Sequence, residues 1–159
     1  MPPQVITYHA RFTLPAPPAE VWASLDRFDR YEQWWRWLSE LRADRPGLET
    51  GCTLDGIVSP PLPYRMRVRV TLLDCTAPRM LRAAVAGDLQ GEAQLVLTPF
   101  RNGTRADVAW TVEMMQAPMR LVSRVARPVL LWGHDRVVEA TVAGFRRHLQ
   151  RQGVAGSRR

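Results

Sequence analysis

Apolar and polar positions alternate along Gln4–Leu14, with Ile6, Tyr8, Ala10, Phe12 and Leu14 on one side and Thr7, His9, Arg11 and Thr13 on the other. A period of two with one apolar side predicts a half-buried strand. Pro15, Pro17 and Pro18 end it. Ala19–Leu25 then reads as a short helix with proline near its start, where a missing N–H does no harm. Val21, Trp22 and Leu25 supply its apolar side, and a second short helix is expected around Phe28–Trp35. Strand-like segments follow at close spacing: Trp37–Arg45 weakly, then Cys52–Val58, Tyr64–Leu73, Arg79–Ala86, Glu92–Thr98 and Thr104–Met115. The clearest is Tyr64–Leu73, where Met66, Val68, Val70 and Leu72 face one way and Arg65, Arg67, Arg69 and Thr71 the other. The stretch Ser59-Pro60-Pro61-Leu62-Pro63 interrupts the pattern, and Asn102-Gly103 signals a hairpin turn.

From about residue 119 to residue 150 the period changes. Apolar residues recur at Leu121, Val125, Val129, Trp132, Val138, Val142, Phe145 and Leu149, in steps of three and four with one gap of six. That is an amphipathic helix. Pro128 is expected to kink or split it. The order is therefore strand, two short helices, about six strands and one long helix. Consecutive hairpins imply an antiparallel sheet, and the helix covers its apolar face, giving an α+β domain over 1–152. The residues 153–159 read as a disordered basic tail. One helix cannot fill a wide curved sheet, so the inner residues are expected to line a pocket.

The chain has 159 residues, 46% hydrophobic and 23% charged, which suits one domain with a sizeable core. No apolar run approaches the ~18 residues of a membrane span. The first residues do not resemble a signal peptide, so a cytoplasmic location is expected. The net charge is +7, and every basic side chain other than histidine is arginine. A basic chain can meet nucleic acid, an anionic membrane or an acidic ligand. The arginines are spread along the whole length without interleaved aromatics or a nucleic-acid motif, so no specific nucleic-acid partner is expected. Transient membrane contact stays open, as does the choice between monomer and homodimer. Cys52 and Cys75 lack metal-ligand spacing and read as free thiols. No metal-binding, nucleotide-binding or nucleophile motif is present, so no metal and no cofactor are expected.

The segment Phe12-Thr13-Leu14-Pro15-Ala16-Pro17-Pro18-Ala19-Glu20-Val21-Trp22-Ala23-Ser24-Leu25 resembles the opening of the START-like, or SRPBCC (Bet v 1-like), superfamily. The aromatic-rich Phe28-Asp29-Arg30-Tyr31-Glu32-Gln33-Trp34 matches its second helix. Gly87-Asp88-Leu89-Gln90-Gly91-Glu92, Gly103-Thr104-Arg105 and Trp132-Gly133-His134-Asp135 are similar to its polyketide cyclase/dehydrase group. The resemblance implies the helix-grip fold, in which a seven-stranded antiparallel sheet grips the C-terminal helix around a deep cavity. It also implies ligands such as lipids, sterols or polyketides, and for some relatives aromatase/cyclase activity.

Candidate chemistry is sparse. The gap in the helix stripe falls on Asp135, with His134 beside it in line with Leu130 and Val138. A carboxylate near an apolar face must pair or shift its pKa, so Asp135 serves an ion pair with an arginine or a polar anchor in the cavity, unless the helix face is wide enough to leave it solvated. His134, Asp135 and Tyr8 are the acid/base candidates. Tyr8, Phe12, Leu62, Met66, Val68, Leu95, Trp110, Met114, Trp132 and Asp135 are the expected ligand-binding residues, with Met119 a further adaptable one. Arg65, Arg67 and Arg69 read as a solvated outer row paired with acids such as Asp55. The favoured function is binding of a hydrophobic or amphipathic small molecule, lipid- or polyketide-like. The alternative is a polyketide-type aromatase/cyclase working by acid/base catalysis in the same cavity.

Overall fold

The computed structural model describes residues 5–115 and 117–157, with side chains described for 5–115 and 128–154. Seven strands alternate inward apolar with outward polar residues: β1 (Val5–Leu14), β2 (Leu38–Ala43), β3 (Thr53–Val58), β4 (Met66–Thr76), β5 (Met80–Gly87), β6 (Leu89–Phe100) and β7 (Gly103–Met114). They form one antiparallel sheet in the order β1-β7-β6-β5-β4-β3-β2. All neighbours from β2 to β7 are consecutive in the chain. The first strand alone crosses over, pairing Val5 with Glu113 and Leu14 with Thr104. The tight turn between β6 and β7 is made by Arg101 and Asn102, Arg101 with a left-handed φ of 54°, one residue earlier than the expected Asn102-Gly103, and Gly103 already pairs with Phe100. At Gly91 the β7 backbone comes so close that a Cβ would run into the Thr111 carbonyl.

Between β1 and β2 lie α1 (Pro18–Leu25), a 3-10 turn (Phe28–Arg30) and α2 (Tyr31–Trp34). Pro18 opens α1, which buries Val21, Trp22 and Ser24. Thr104 Oγ donates to the Ala16 carbonyl at 2.6 Å, fixing the β1–α1 corner to the start of β7.

The C-terminal helix α3 runs over Ala117–Ser157. It passes through Pro128 without splitting. One lost N–H bond and one carbonyl clash are local costs, and most helical stability in a folded protein comes from the packed face. The helix also continues past Gly153 to Ser157, so the start of the expected tail falls inside it. Gly lowers helix stability only modestly and nothing else there breaks the turn. The last two residues of the tail, and the side chains of Met119, Leu121 and Val125, lie outside the described residues.

Three apolar clusters hold the domain. One joins Leu14, Val21, Trp22, Trp35, Leu97 and Ala106 to Phe145 and Leu149 of α3. A second joins Ile6, Met66, Val112 and Met114 to Leu130. A third, around Phe28, Cys52, Leu54, Leu72 and Ala83, lies toward the β3–β4 side. Cys52 and Cys75 are free thiols. The outward arginine row is exposed, and Arg69 pairs with Asp55 at 2.8 Å.

Candidate functional site: an apolar cavity under the long helix

The first two clusters sit at opposite ends of the concave face, and the space between them is a cavity of about 430 Å³. Its size follows from side-chain length. The middle of the sheet presents short residues (Val68, Val70, Val85, Ala93, Ala106 and Val108), and α3 answers with Val137, Val138, Thr141 and Val142. Larger residues, Trp35, Leu97 and Phe145 at one end and Met66, Met114 and Trp110 at the other, prop the layers apart. Short faces held apart by long ones leave a void of ligand size.

The wall offers few polar atoms. Trp35 Nε1 donates to the Thr141 carbonyl at 2.9 Å, and Thr141 Oγ donates to Val137 O at 2.6 Å. Trp110 Nε1 donates to His134 Nε2 at 3.1 Å. Indole N–H can only donate, so His134 Nε2 accepts and the imidazole proton sits on Nδ1. That proton faces Asp135 Oδ1 at 3.2 Å. His134 is thus the middle of an ordered chain: Trp110 in the wall, the imidazole (16% exposed), and a carboxylate at the surface (60% exposed). Tyr8 stacks on Trp110 with centroids 4.6 Å apart and meets the His134 ring edge-on at 5.0 Å. Burial, and secondarily the Asp135 charge, raise the Tyr8 hydroxyl above its ordinary pKa, so it stays protonated at neutral pH. Burial also pushes up the hydroxyl of Tyr64, which lines the cavity. One polar atom stands apart: Trp37 Nε1 is buried and has no hydrogen-bond partner among the described residues.

The expected site residues divide into groups. Phe12, Met66, Val68, Leu95, Trp110, Met114 and His134 line the cavity. Tyr8 and Asp135 lie just outside, together on the β1 flank of α3 with Glu139 and Arg146. Asp135 therefore neither projects into the cavity nor pairs with an arginine among the described residues; its partner is the adjacent imidazole. Leu62 packs into the second cluster and onto α3, where a Cβ on Gly133 would come within 2.6 Å of it. Trp132 is a correction. It is 49% exposed and turned away from the cavity, with Arg136 over its ring. The buried stripe of α3 runs through Leu130, His134, Val138, Phe145 and Leu149, so Val129, Leu131 and Trp132 fall on the outside. The rest of the expected stripe that is described, Val138, Val142, Phe145 and Leu149, does face the sheet, so the error is confined to the part of the helix before the gap. Sequence reasoning passed over Val137 and Thr141, although they lie three and seven residues after His134, on its face.

A curved seven-stranded antiparallel sheet closed on a C-terminal helix, with two short helices after the first strand, is the helix-grip, Bet v 1-like fold of the SRPBCC superfamily. Residues 5–151 match the model of the family described as polyketide cyclase / dehydrase and lipid transport, and the chain belongs to that family. No curated protein sequence matches. Among solved structures, TTHA0849 from Thermus thermophilus superposes with a TM-score of 0.75 at 16% identity, covering 92% of this chain and 99% of that one. The di-domain ARO/CYC StfQ of the steffimycin biosynthetic pathway gives 0.70 at 11% identity over 94% of this chain and 52% of its own. Ara h 8.0201 gives 0.63 at 12% identity over 92% and 99%. Among the described residues no helix is long and apolar enough to cross a membrane.

Proposed function

We propose that this protein binds a hydrophobic or amphipathic small molecule, lipid- or polyketide-like, in the cavity between sheet and α3, as a non-covalent carrier or sensor in the cytoplasm. One observation carries this: a cavity of about 430 Å³ with an almost unbroken apolar wall. Empty, such a wall forfeits the dispersion contacts that a close-packed interior would supply, and an apolar guest restores them. The test is native mass spectrometry of the freshly purified protein, followed by titration of the delipidated protein with a neutral fluorescent naphthylamine. Saturable binding, displaced by the extracted guest, is the expected result. Absence of any saturable site would overturn it.

A second reading is favoured by one feature, the Trp110–His134–Asp135 chain. An imidazole held in one tautomer at the wall, with a carboxylate behind it to stabilise the imidazolium, is the equipment of a proton-moving cyclase. Its Nε2 is occupied by Trp110, so it works as a base only if a substrate group displaces the indole. Turnover of a poly-ketone mimic that disappears in His134→Ala, with naphthylamine binding intact, would establish this reading over simple carriage.

A further inference from the structure

Beside the cavity, one surface cleft combines several arginines with an absence of acidic side chains. Between α2, the start of β2, the 59–61 loop and α3 lies an open cleft bordered by Arg30, Arg36, Arg136, Arg147 and Arg151 together with His148. No aspartate or glutamate borders it. Arg136 is engaged by Glu139 at 2.9 Å, and Arg30 approaches Asp29 at 3.8 Å. Arg36, Arg147 and Arg151 have no acidic partner among the described residues, and all three are exposed. Their mutual repulsion is uncompensated within the cleft. On the opposite flank of α3 the polarity reverses: Asp135 and Glu139 border that side with a single cation, Arg146, whose Nε donates to the Thr13 carbonyl at 3.0 Å.

The arginine cleft and the apolar cavity are neighbours. Trp37 and Val137 border both. Along the loop, Pro60 faces the cavity while Ser59 and Pro61 face the cleft. The partition thus carries the buried Trp37 Nε1 donor that lacks a protein acceptor among the described residues. An apolar chamber with unpaired guanidinium groups beside it matches the two parts of an anionic amphiphile, body and head.

We propose that the ligand is an amphiphile with an anionic head. Its apolar body occupies the cavity, and its carboxylate, phosphate or sulfate sits in the arginine cleft, with Arg36, Arg147 and Arg151 as cations. This rests on the cavity-binding reading above and adds the head chemistry and its direction of exit. Guanidinium forks fit oxyanions two bonds at a time, whereas an alcohol offers them a single weak acceptor.

The test compares decanoate with 1-decanol, both displacing a neutral naphthylamine from the delipidated protein at low ionic strength, with acetate and inorganic phosphate as headgroup-only probes. Wild type is expected to bind decanoate about tenfold more tightly than decanol, the equivalent of one charge-assisted contact. The variant Arg36→Gln/Arg147→Gln is expected to lose that preference while its decanol affinity holds. The control Arg65→Gln/Arg67→Gln, which removes the same charge from the outer face of β4 and the residue just before it, is expected to keep it. Acetate and phosphate displace nothing if the head is only part of the ligand; displacement by either alone would overturn the two-part ligand. Equal affinity for acid and alcohol in wild type, or a preference that survives in Arg36→Gln/Arg147→Gln, overturns the anion cleft but leaves cavity binding standing. Failure of both decanoate and decanol to displace the naphthylamine would instead remove the cavity reading, and this inference with it.

Discussion

Ala93 offers a sharp test of whether the space under α3 is a dry, ligand-sized void. It sits on β6 near the middle of the sheet, opposite Ala83 of β5 and Trp110 of β7, and its methyl borders the cavity. Ala93→Leu adds three carbons to that space. If the space is void, their burial contributes about 2.4 kcal/mol at ~0.8 kcal/mol per carbon. Freezing a leucine side chain takes back about 0.5–1 kcal/mol, leaving a net gain near 1.5 kcal/mol. For a chain of this size that raises the melting temperature by about 3–6 °C. Well-packed sites behave oppositely, since extra methylenes cost about 1–3 kcal/mol in strain. Ala83, only 7% exposed, part of the third core cluster and not on the cavity wall, provides that contrast: Ala83→Leu should destabilise. Denaturant unfolding of the two delipidated variants, with naphthylamine titration in parallel, reads both quantities. Ala93→Leu should stabilise and weaken binding together. A destabilised Ala93→Leu with unchanged binding would refute the void and the reasoning built on it.

Other outcomes follow from particular contacts. Asp135→Asn should change stability by no more than about 1 kcal/mol, because the carboxylate is mostly solvated; a loss near 3 kcal/mol in urea titration would mark it as a structural ion-pair member. Gly91→Ala should cost at least about 2 kcal/mol, since the added methyl collides with the β7 backbone, and a thermal scan showing no change would contradict that close approach. His148 stacks on Trp34, contacts Ser24 Oγ at 3.2 Å, and has its pKa lowered by burial and then by Arg30 and Arg151. A histidine with a depressed folded pKa favours the folded state above its unfolded pKa, and that stability is lost as pH falls through the folded value. Stability should therefore decline on acidification from about pH 6.5 in wild type and less in His148→Gln. Decanoate in the arginine cleft should move the His148 NMR titration upward, and an unmoved titration in the saturated complex would count against an anion there.

The sheet was largely legible because each strand keeps the period-two alternation over most of its length. On β4 the inward Met66, Val68 and Val70 and the outward Arg67 and Arg69 stand on the faces that pattern requires. The helix face was harder. Trp132 is large and apolar, and a stripe drawn through it misses the stripe through Leu130 and His134 by about half a turn. Geometry along one helix cannot reveal which of two apolar stripes meets the sheet when both contain apolar residues. The arginine cleft was not legible at all. Arg30 and Arg36 come from one region and Arg147 and Arg151 from another more than a hundred residues away, and only the seating of α2 on α3 brings them together. The Trp37 donor was invisible for a related reason: a pattern can place an indole near a core but cannot say that no carbonyl waits for it.

The crossover of β1 sets the order in which this chain can assemble. Every other strand pair joins neighbours in sequence and can form from a short, locally closed stretch. Val5 instead pairs with Glu113, and all ten rungs of that ladder wait until β7 exists. Non-local pairing of this kind slows folding, because the loop must close before any contact rewards it. The strand of this sheet that is synthesised first is thus the last to find its place. Until then Ile6, Tyr8, Phe12 and Leu14 stand on an unpaired edge, and the opposite edge of β7 lies open beside the unfinished cavity. A nascent chain stalled before β7 should therefore be the form most prone to pair with a stranger, and the form on which a chaperone would act.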